Sequence, residues 1–222
     1  MTRSVPTRRR TRPDRLAPYR AKRDFRATPE PDGGAVAVEP PSQPVTTGRF
    51  VVQRHRASSL HYDFRLEIAG VLASWAVPRG PSMDPTQRRL AVQVEDHPLG
   101  YIDFEGVIPA RQYGAGDVIV WDRGTYTADP ETPDAAQALA AGELKFTLDG
   151  TKLSGAFVLI RTAGFGRRRT SGEDARTKWL LIHRRDGNAL DGWDPAAYPE
   201  SVKTGRTNED VAAGRRGRKR TT

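Results

Sequence analysis

The sequence of 222 residues contains no cysteine. A disulfide framework, a zinc ribbon, an iron–sulfur cluster and a thiol nucleophile are therefore excluded, and a metal would need histidine, carboxylate or water ligands. Only four histidines are present. No stretch approaches the roughly 18 consecutive apolar residues of a membrane-spanning helix, and the arginine-rich N-terminus lacks the apolar run of a signal peptide. These absences indicate a cytoplasmic protein with no membrane association.

Positive charge is concentrated at the two ends of the chain, which has 36 Lys and Arg against 27 Asp and Glu in total. Residues 1–23 hold nine basic side chains and one acidic, and residues 203–222 hold seven and two. Residues 24–202, in contrast, hold 20 basic and 24 acidic side chains. The ends are typical of solvated tails that either aid solubility or follow a polyanion. We therefore predict flexible, disordered basic tails at 1–22 and 188–222.

Short strand-like segments separated by Gly, Pro and Asp dominate the sequence between these tails. Residues 23–47 are rich in Pro and Gly, which predicts an N-terminal arm or linker. From residue 48 to 187, about eight short segments alternate apolar and polar side chains, and one helix is expected from Asp134 to Ala141, ended by Gly142. A basic loop is expected at 162–177. This pattern predicts a mainly β fold, a small antiparallel β-barrel of about eight strands with one or two short helices.

Polar side chains cluster on particular faces of the predicted strands. In the segment LHYDFRL at 60–66, alternation places His61, Asp63 and Arg65 on one face and the apolar side chains on the other. On the preceding strand, Gln53 and His55 share a face that can converge on the same cleft.

The segment 90–97 shows a similar alternation. Gln93, Glu95 and His97 would lie on one face, and Val92 and Val94 on the other. Three of the four histidines thus fall on predicted strand faces that carry other polar groups, although a single histidine on a half-buried strand is usually structural.

Histidine and aspartate from separate strands form a mixed nitrogen and oxygen ligand set. Such a set suits Mn²⁺, Fe²⁺ or Zn²⁺ better than Ca²⁺, and His55, Asp63 and His97 are the candidate metal ligands. His61 and Arg65 lie close by in the pattern. A guanidinium offers a planar fork for phosphate oxygens and an imidazole can transfer a proton, so this pair predicts phosphate binding.

A long series of segments resembles the 3′-phosphoesterase domain that is found at the N-terminus of bacterial DNA ligase D and also as stand-alone proteins. The matching segments are RDF at 23–25, TPEP at 28–31, FVVQRH at 50–55, LHYDFRLE at 60–67, SWAVPRGPS at 74–82, RLAVQVEDHPLGYIDFEGVIP at 89–109, QYGAG at 112–116, VIVWDRGTY at 118–126 and WLLIHRRD at 179–186. They occur in order over roughly residues 20–187, which makes the resemblance more specific than any single short motif.

The resemblance implies a small β-barrel enzyme that uses Mn²⁺, with Zn²⁺ or Co²⁺ as alternatives, and acts on the 3′ ends of nucleic acid strands during break repair. Such enzymes remove a terminal ribonucleoside to leave a 3′-phosphate, and then remove the phosphate to leave a 3′-OH. The implied substrates are DNA or RNA-terminated primer-template ends. The implied partners are a repair ligase, a polymerase and end-binding proteins acting in trans, with the protein itself a nucleoid-associated monomer.

The resemblance also assigns roles to individual residues. By position, His55, Asp63 and His97 match the metal ligands, and His61 and Arg65 match the phosphate-contacting residues. The residues that match supporting active-site positions of the family are Gln53, Glu95 and Tyr101. Those that match an N-terminal segment used at the family's active site are Arg23, Asp24 and Glu30. Arg111 stands where the family usually has Gly, and His183 is expected to be either structural or at the surface.

Two other classes of function also fit parts of the pattern. His61, Asp63 and His97 imitate the two-histidine, one-carboxylate set of non-haem iron oxygenases, with an arginine to hold an oxoacid. Alternatively, a non-catalytic module could hold DNA ends through the basic tails and through aromatic residues that stack on bases, namely Trp75, Tyr101, Tyr113 and Trp121.

Overall fold

A computed structural model describes residues 14–34, 46–162 and 177–217. The outermost parts of the predicted tails (1–13 and 218–222), the middle of the predicted linker (35–45) and most of the basic loop (163–176) lie outside the described residues. Nine strands are present in the described part, at β1 Thr47–Arg56, β2 Leu60–Ile68, β3 Val71–Val77, β4 Arg89–Gln93, β5 Gly106–Ile108, β6 Gly116–Ala128, β7 Glu143–Gly150, β8 Ser154–Arg161 and β9 Lys178–His183.

Eight of these strands form a closed antiparallel barrel, which confirms the predicted fold class. The strand order is β1-β2-β3-β4-β9-β8-β7-β6, and β6 pairs with β1 to close it. The ninth strand, β5, adds to the outer edge of β6. Closure leaves the eight barrel strands without free edges, so their backbone groups are paired within the wall.

The barrel interior is filled by aromatic and aliphatic side chains from every wall strand. Phe50, Phe64, Trp75, Trp121 and Phe157 are each fully buried in this core. Trp75 and Trp121 are therefore core residues and cannot stack on bases. His183 is also buried, where it contacts the Phe157 ring edge-on and the Ser154 carbonyl oxygen, so its predicted structural role is confirmed.

A β-bulge in β6 allows both halves of this long strand to direct apolar side chains into the barrel interior. The pairing register with β1 shifts between Val52 and Gln53, so that Trp121 is the extra residue. Before the bulge Ile119 and Trp121 point inward, and after it Tyr126 and Ala128 do. The inward-facing positions thus change from odd to even numbers within β6.

Three short α-helices of the described residues lie outside the barrel wall: α1 Ala17–Ala21, α2 Ala135–Ala141 and α3 Asn208–Ala212. Helix α2 confirms the predicted helix, because the Asp134 side chain accepts two backbone N–H bonds at its start and Gly142 ends it with a left-handed φ of 100°. 3₁₀ turns occupy Leu99–Asp103 and Pro195–Ala197. Within the described ranges, no helix combines the length and apolar character needed to cross a bilayer.

Residues 14–22 and 188–217 differ from the predicted disordered tails, because both segments pack on the barrel. Tyr19 in α1 is fully buried, and Val211 in α3 contributes to the barrel core. The Asn208 side chain donates to the carbonyl oxygens of Arg54 and Asp117. A few buried contacts therefore order both segments despite their basic composition.

Candidate active site

The predicted site residues lie on the outer face of the barrel wall. Alternation in β1 and β2 sends Val52 and Phe64 into the core, whereas Gln53, Asp63 and Arg65 point outward. A second, smaller apolar cluster covers this outer face and buries the polar groups beneath it. It is formed by Tyr19, Val51, Leu72, Tyr101, Ile102, Phe104, Ile108, Val118 and Val120.

A cleft of about 420 Å³ opens between the wall and this cover. Most of the site residues predicted from the sequence line it, namely Arg23, His55, His61, Asp63, Arg65, Glu95, His97 and Tyr101. Gln53 and Glu30 lie directly behind the lining and hold Arg65, Arg23 and Tyr101 in place. The structure thus brings together residues from strands β1 and β2, the N-terminal arm and the 94–114 segment.

Two histidines and one aspartate in this cleft could hold a metal ion. One ligand atom from each of His55, His61 and Asp63 lies within 4.8 Å of the other two. The Nδ1 atom of His55 is 3.5 Å from Asp63 Oδ2, and Nε2 of His61 is 3.7 Å from Asp63 Oδ1. Ligands that share one ion at metal–ligand distances near 2.1 Å are separated by about this much.

Hydrogen bonds to carbonyl oxygens fix which nitrogen of each histidine faces the aspartate. Nε2 of His55 lies 2.9 Å from the Gly114 oxygen, and Nδ1 of His61 lies 3.1 Å from the Ser59 oxygen. A carbonyl oxygen only accepts, so these nitrogens carry the protons, and in neutral rings the opposite nitrogens present lone pairs to Asp63. Lone pairs that face a carboxylate repel it unless a cation lies between them. Metal-binding histidines also typically donate their other ring N–H to a carbonyl oxygen, as His55 and His61 do here. The donor set therefore fits a divalent metal.

Arg65 is buried beside the carboxylate of Asp63. Its guanidinium donates to Gln53 Oε1 at 2.8 Å, to Ser74 Oγ at 2.8 Å and to Asp63 Oδ2 at 3.1 Å. Burial raises the pKa of Asp63, but the adjacent Arg65 cation opposes this effect, and that pKa lies well below its usual value. Asp63 is therefore ionised, and among the described residues two of the five guanidinium N–H groups have no hydrogen-bond acceptor.

His97 lies in the same cleft but outside the group that meets within 4.8 Å. Its Nδ1 donates to the Glu95 carbonyl oxygen at 2.9 Å, which leaves Nε2 as the lone-pair nitrogen, 3.4 Å from Nη2 of Arg23. Burial lowers the pKa of His97 well below its usual value, and the Arg65 and Arg23 cations lower it further. His97 is thus a neutral imidazole whose lone pair already attracts a cation.

The expected alternation over 90–97 was wrong beyond the start of the segment. Strand β4 ends at Gln93, whose side chain points inward and accepts a hydrogen bond from the core residue Trp179. Val92 and Val94, expected on the face opposite to the polar residues, line the cleft. His97 reaches the cleft through an isolated bridge to Leu72 on β3, with reciprocal backbone bonds of 2.8 and 2.9 Å. The backbone between β4 and this bridge is irregular, so period-two alternation does not apply there.

The N-terminal arm, residues 14–34, contributes a buried ionic network at the edge of the cleft. Arg23 donates to Glu30 Oε1 at 2.9 Å and lies 3.4 Å from Glu95 Oε1, and its guanidinium is 3.9 Å from the centre of the Tyr19 ring. The Tyr101 hydroxyl also donates to Glu30, at 2.9 Å. Burial raises the pKa of Tyr101, and the Glu30 carboxylate raises it further. Tyr101 is therefore a protonated donor at neutral pH.

Asp24 is placed differently from the other predicted residues. Its carboxylate is about half exposed, pairs with Arg26 on the surface and does not line the cleft. Sequence reasoning also missed four residues that the site uses: Ser74, Gly114, Lys22 and Tyr19. Ser74 and Gly114 fall within segments that resemble the family, whereas Lys22 and Tyr19 fall in the region expected to be disordered.

The loop at 109–116 carries a strained residue next to the site. Arg111 adopts a left-handed φ of 72°, which explains why glycine usually stands at this position in the family that the sequence resembles. A side chain in this conformation costs about 1 kcal/mol. The loop nevertheless keeps the turn that presents the Gly114 carbonyl oxygen to His55.

Together these features define a small antiparallel β-barrel protein with a metal-capable cleft beside a buried arginine. Comparison with known families gives the same class a name. Residues 53–161 match the family model described as the DNA Ligase D 3′-phosphoesterase domain. This region of the chain belongs to that family, which confirms the resemblance seen in the sequence.

Curated relatives extend the similarity beyond the matched region. The chain is 51% identical over 195 residues to the multifunctional non-homologous end joining protein LigD of Pseudomonas aeruginosa, covering 86% of this chain and 21% of that protein. It is 46% identical over 153 residues to the multifunctional non-homologous end joining DNA repair protein LigD of Mycobacterium tuberculosis, covering 68% and 19%. The chain therefore spans about a fifth of the length of the relatives it matches.

Proposed function

We propose that this protein is a metal-dependent 3′-end-healing phosphoesterase that acts at strand breaks. It would remove a 3′-terminal ribonucleoside as a phosphodiesterase and the remaining 3′-phosphate as a phosphomonoesterase, leaving a 3′-OH. The observation that carries the proposal is the pair of imidazole lone pairs directed at Asp63, next to a buried arginine with free N–H groups. Membership of a 3′-phosphoesterase family and relatives named for end joining support the same reaction and DNA ends as the substrate.

The ligands that we propose for the ion are His55, Asp63 and a third imidazole. His97 is the third ligand by resemblance, and His61 is the one nearest to Asp63 in the structure. When bound, a divalent ion such as Mn²⁺ supplies a Lewis acid for a phosphoryl oxygen and lowers the pKa of a bound water. We assign the third position to His61, because its lone-pair nitrogen lies within 4.8 Å of the ligand atoms of His55 and Asp63, whereas His97 lies outside that group.

The remaining residues of the cleft would bind and orient the phosphoryl group. Arg65 would hold two phosphoryl oxygens with its free N–H groups, and Gln53 and Ser74 keep its fork in position. His97 would position Arg23, because its lone-pair nitrogen Nε2 lies 3.4 Å from Nη2 of that arginine. Arg23, held by Glu30, adds a second cation at the cleft edge.

A primer-template with one 3′-terminal ribonucleotide tests the proposal. In Mn²⁺ we expect successive release of the ribonucleoside and of phosphate, both stopped by EDTA. Asp63→Asn should abolish both steps and weaken Mn²⁺ binding, measured by calorimetry, by more than about 100-fold. Asp103→Asn, which changes an exposed aspartate paired with Arg123, is the matched control and should keep both.

Three outcomes would contradict this function. Full turnover by Asp63→Asn, or by the wild-type protein in EDTA, would rule out the metal site. Uptake of oxygen with Fe²⁺ and 2-oxoglutarate, without phosphate release in Mn²⁺, would instead indicate the oxygenase class. DNA-end binding that survives EDTA without any product would indicate a non-catalytic binding module.

A further inference from the structure

One aromatic ring in the cleft has no role in the chemistry proposed above. Two tyrosines line the cleft. Tyr101 is buried and its hydroxyl is bound to Glu30, so its ring is part of the cover. Tyr113 is 39% exposed. An aromatic ring that faces a cleft for nucleic acid offers a surface on which a base can stack.

The loop that carries Tyr113 is fixed next to the metal-capable group. The Gln112 N–H donates to the Pro109 oxygen and the Ala115 N–H to the Gln112 oxygen, each at 3.1 Å. The adjacent Gly114 carbonyl accepts from His55 at 2.9 Å. The ring is thus held one residue from a group that orients a proposed ligand, and stacking on it would cost little conformational freedom.

The N-terminal arm meets this loop and bridges the cleft at the Tyr113 side. Nζ of Lys22 lies 3.2 Å from the Tyr113 hydroxyl and 3.1 Å from Glu95 Oε2. The Arg23 guanidinium lies 5.4 Å from the centre of the Tyr113 ring. The arm thus occupies this side of the cleft, which suits the end of a strand better than a strand that continues.

We propose that Tyr113 is the stacking surface for the base of the 3′-terminal nucleoside, the leaving group of the phosphodiester step. This assignment rests on the proposed function and adds the means of recognising a strand end. Since every base has a π face, stacking carries no sequence preference, and the contacts of Lys22 place this ring at one side of the cleft.

The two reactions of the proposed enzyme distinguish stacking of the terminal base from a role of Tyr113 that would affect both reactions equally. Ribonucleoside release needs the terminal base in place, whereas release of a 3′-phosphate has no nucleoside beyond the phosphate. Tyr113→Ala should raise KM for ribonucleoside release about tenfold and leave phosphate release within about twofold of wild type. Tyr113→Phe keeps the ring and should behave as wild type. Tyr198→Ala removes a tyrosine of similar exposure that stacks on Trp193, and is the matched control.

A binding measurement covers the case in which Tyr113→Ala does not fold. A primer ending in 2-aminopurine ribonucleoside, titrated with wild-type protein in EDTA, should lose fluorescence as the base stacks, and a primer with 2-aminopurine ten nucleotides upstream should not. Equal responses at the two positions would overturn the proposal.

Other results distinguish this proposal from the underlying function. An equal loss of both reactions in Tyr113→Ala would mean that the loop merely supports His55, and a Tyr113→Phe protein as impaired as Tyr113→Ala would mean that the hydroxyl contact with Lys22 matters rather than the ring. Either result overturns the stacking role while the phosphoesterase function stands. Absence of both products from the wild-type protein in Mn²⁺ would instead refute the proposed function.

Discussion

At the scale of single residues, the orientation of each imidazole decides what the cleft can bind. His55, His61 and His97 each direct one nitrogen at a backbone carbonyl oxygen. The other nitrogen of each ring is thereby left for the cleft. Three carbonyl groups, contributed by loops rather than by other side chains, therefore prepare the site for a cation before any ligand arrives.

The third metal ligand can be assigned by comparing two alanine variants. His61→Ala should weaken Mn²⁺ binding by more than about tenfold, because it removes a lone pair that faces Asp63, whereas His97→Ala should keep Mn²⁺ affinity and lower turnover. Calorimetric titration of each variant measures the affinity, and phosphate release measures turnover. The reverse pattern, with affinity lost in His97→Ala alone, would make the residue indicated by the family resemblance the ligand.

The buried state of His97 also predicts a pH dependence of stability in the metal-free protein. Its folded pKa lies well below the ordinary value of 6.5, so on acidification the unfolded chain takes up a proton that the folded protein does not. The contribution is therefore present above pH 6.5 and lost as the pH falls below it. Between pH 7 and 5 in EDTA, urea unfolding of His97→Asn should lose about 1–2 kcal/mol less than wild type. Equal losses would show that His97 titrates normally in the folded state.

At the scale of elements, a buried carboxylate is central to the contacts between the arm and the barrel. Glu30 accepts from Arg23, Thr28 and Tyr101, and its side chain is fully buried. The arm therefore depends on an ionic network more than on α1, which is only five residues long. Loss of Glu30 leaves the Arg23 guanidinium buried without its main partner.

Glu30→Ala should accordingly release the arm. Removing one partner of a buried ion pair costs about 3 kcal/mol or more. We expect this cost to appear as local unfolding of the arm while the barrel stays folded. Trypsin should then cleave after Lys22, Arg23 and Arg26 much faster than in wild type, as followed by mass spectrometry. Glu131→Ala, at an exposed site, should change nothing. Unaltered cleavage in Glu30→Ala would show that apolar contacts of Tyr19 hold the arm without the network.

Elements also differ in how well the sequence predicts them. Alternation alone predicts which side chains of β1 and β2 face the core and which face the cleft, because both strands are long and pair with each other in a regular register. The approach of His97 could not be predicted, because it depends on a single bridge to β3. The bulge at Trp121 and the ordering of the arm by Tyr19 depend equally on distant partners. The strand pattern alone had already indicated the three histidines, Asp63 and Arg65. The resemblance added residues such as Arg23 and Tyr101, and the contacts of all of them came only from the structure.

At the scale of the whole molecule, a second buried carboxylate attaches the C-terminal segment to the barrel. Glu105 accepts hydrogen bonds from Ser201, Thr204, Arg206 and the Val120 N–H. Burial raises the pKa of Glu105, but these bonds outweigh it and lower that pKa below its usual value. Stabilisation by Glu105 is thus present above the unfolded pKa of about 4.5 and is lost as the pH falls below it.

Glu105→Ala should destabilise the folded protein by about 3 kcal/mol at pH 7, since it leaves Arg206 and two hydroxyl groups without their acceptor. The difference from wild type should shrink when the same urea unfolding is repeated near pH 3. Glu143→Ala, a half-exposed glutamate, serves as the comparison and should shift the midpoint little. A constant difference at both pH values would contradict the role of the ionised carboxylate.

The two faces of β1 and β2 limit which mutations these strands can tolerate during evolution. The same stretch of backbone fills the barrel with Val52 and Phe64 and presents Gln53, Asp63 and Arg65 to the cleft. Insertion or deletion of one residue within these strands would exchange the two sets and ruin packing and chemistry together. Point substitutions can vary either face alone, so this wall should diverge by replacement and hardly ever by a change in length.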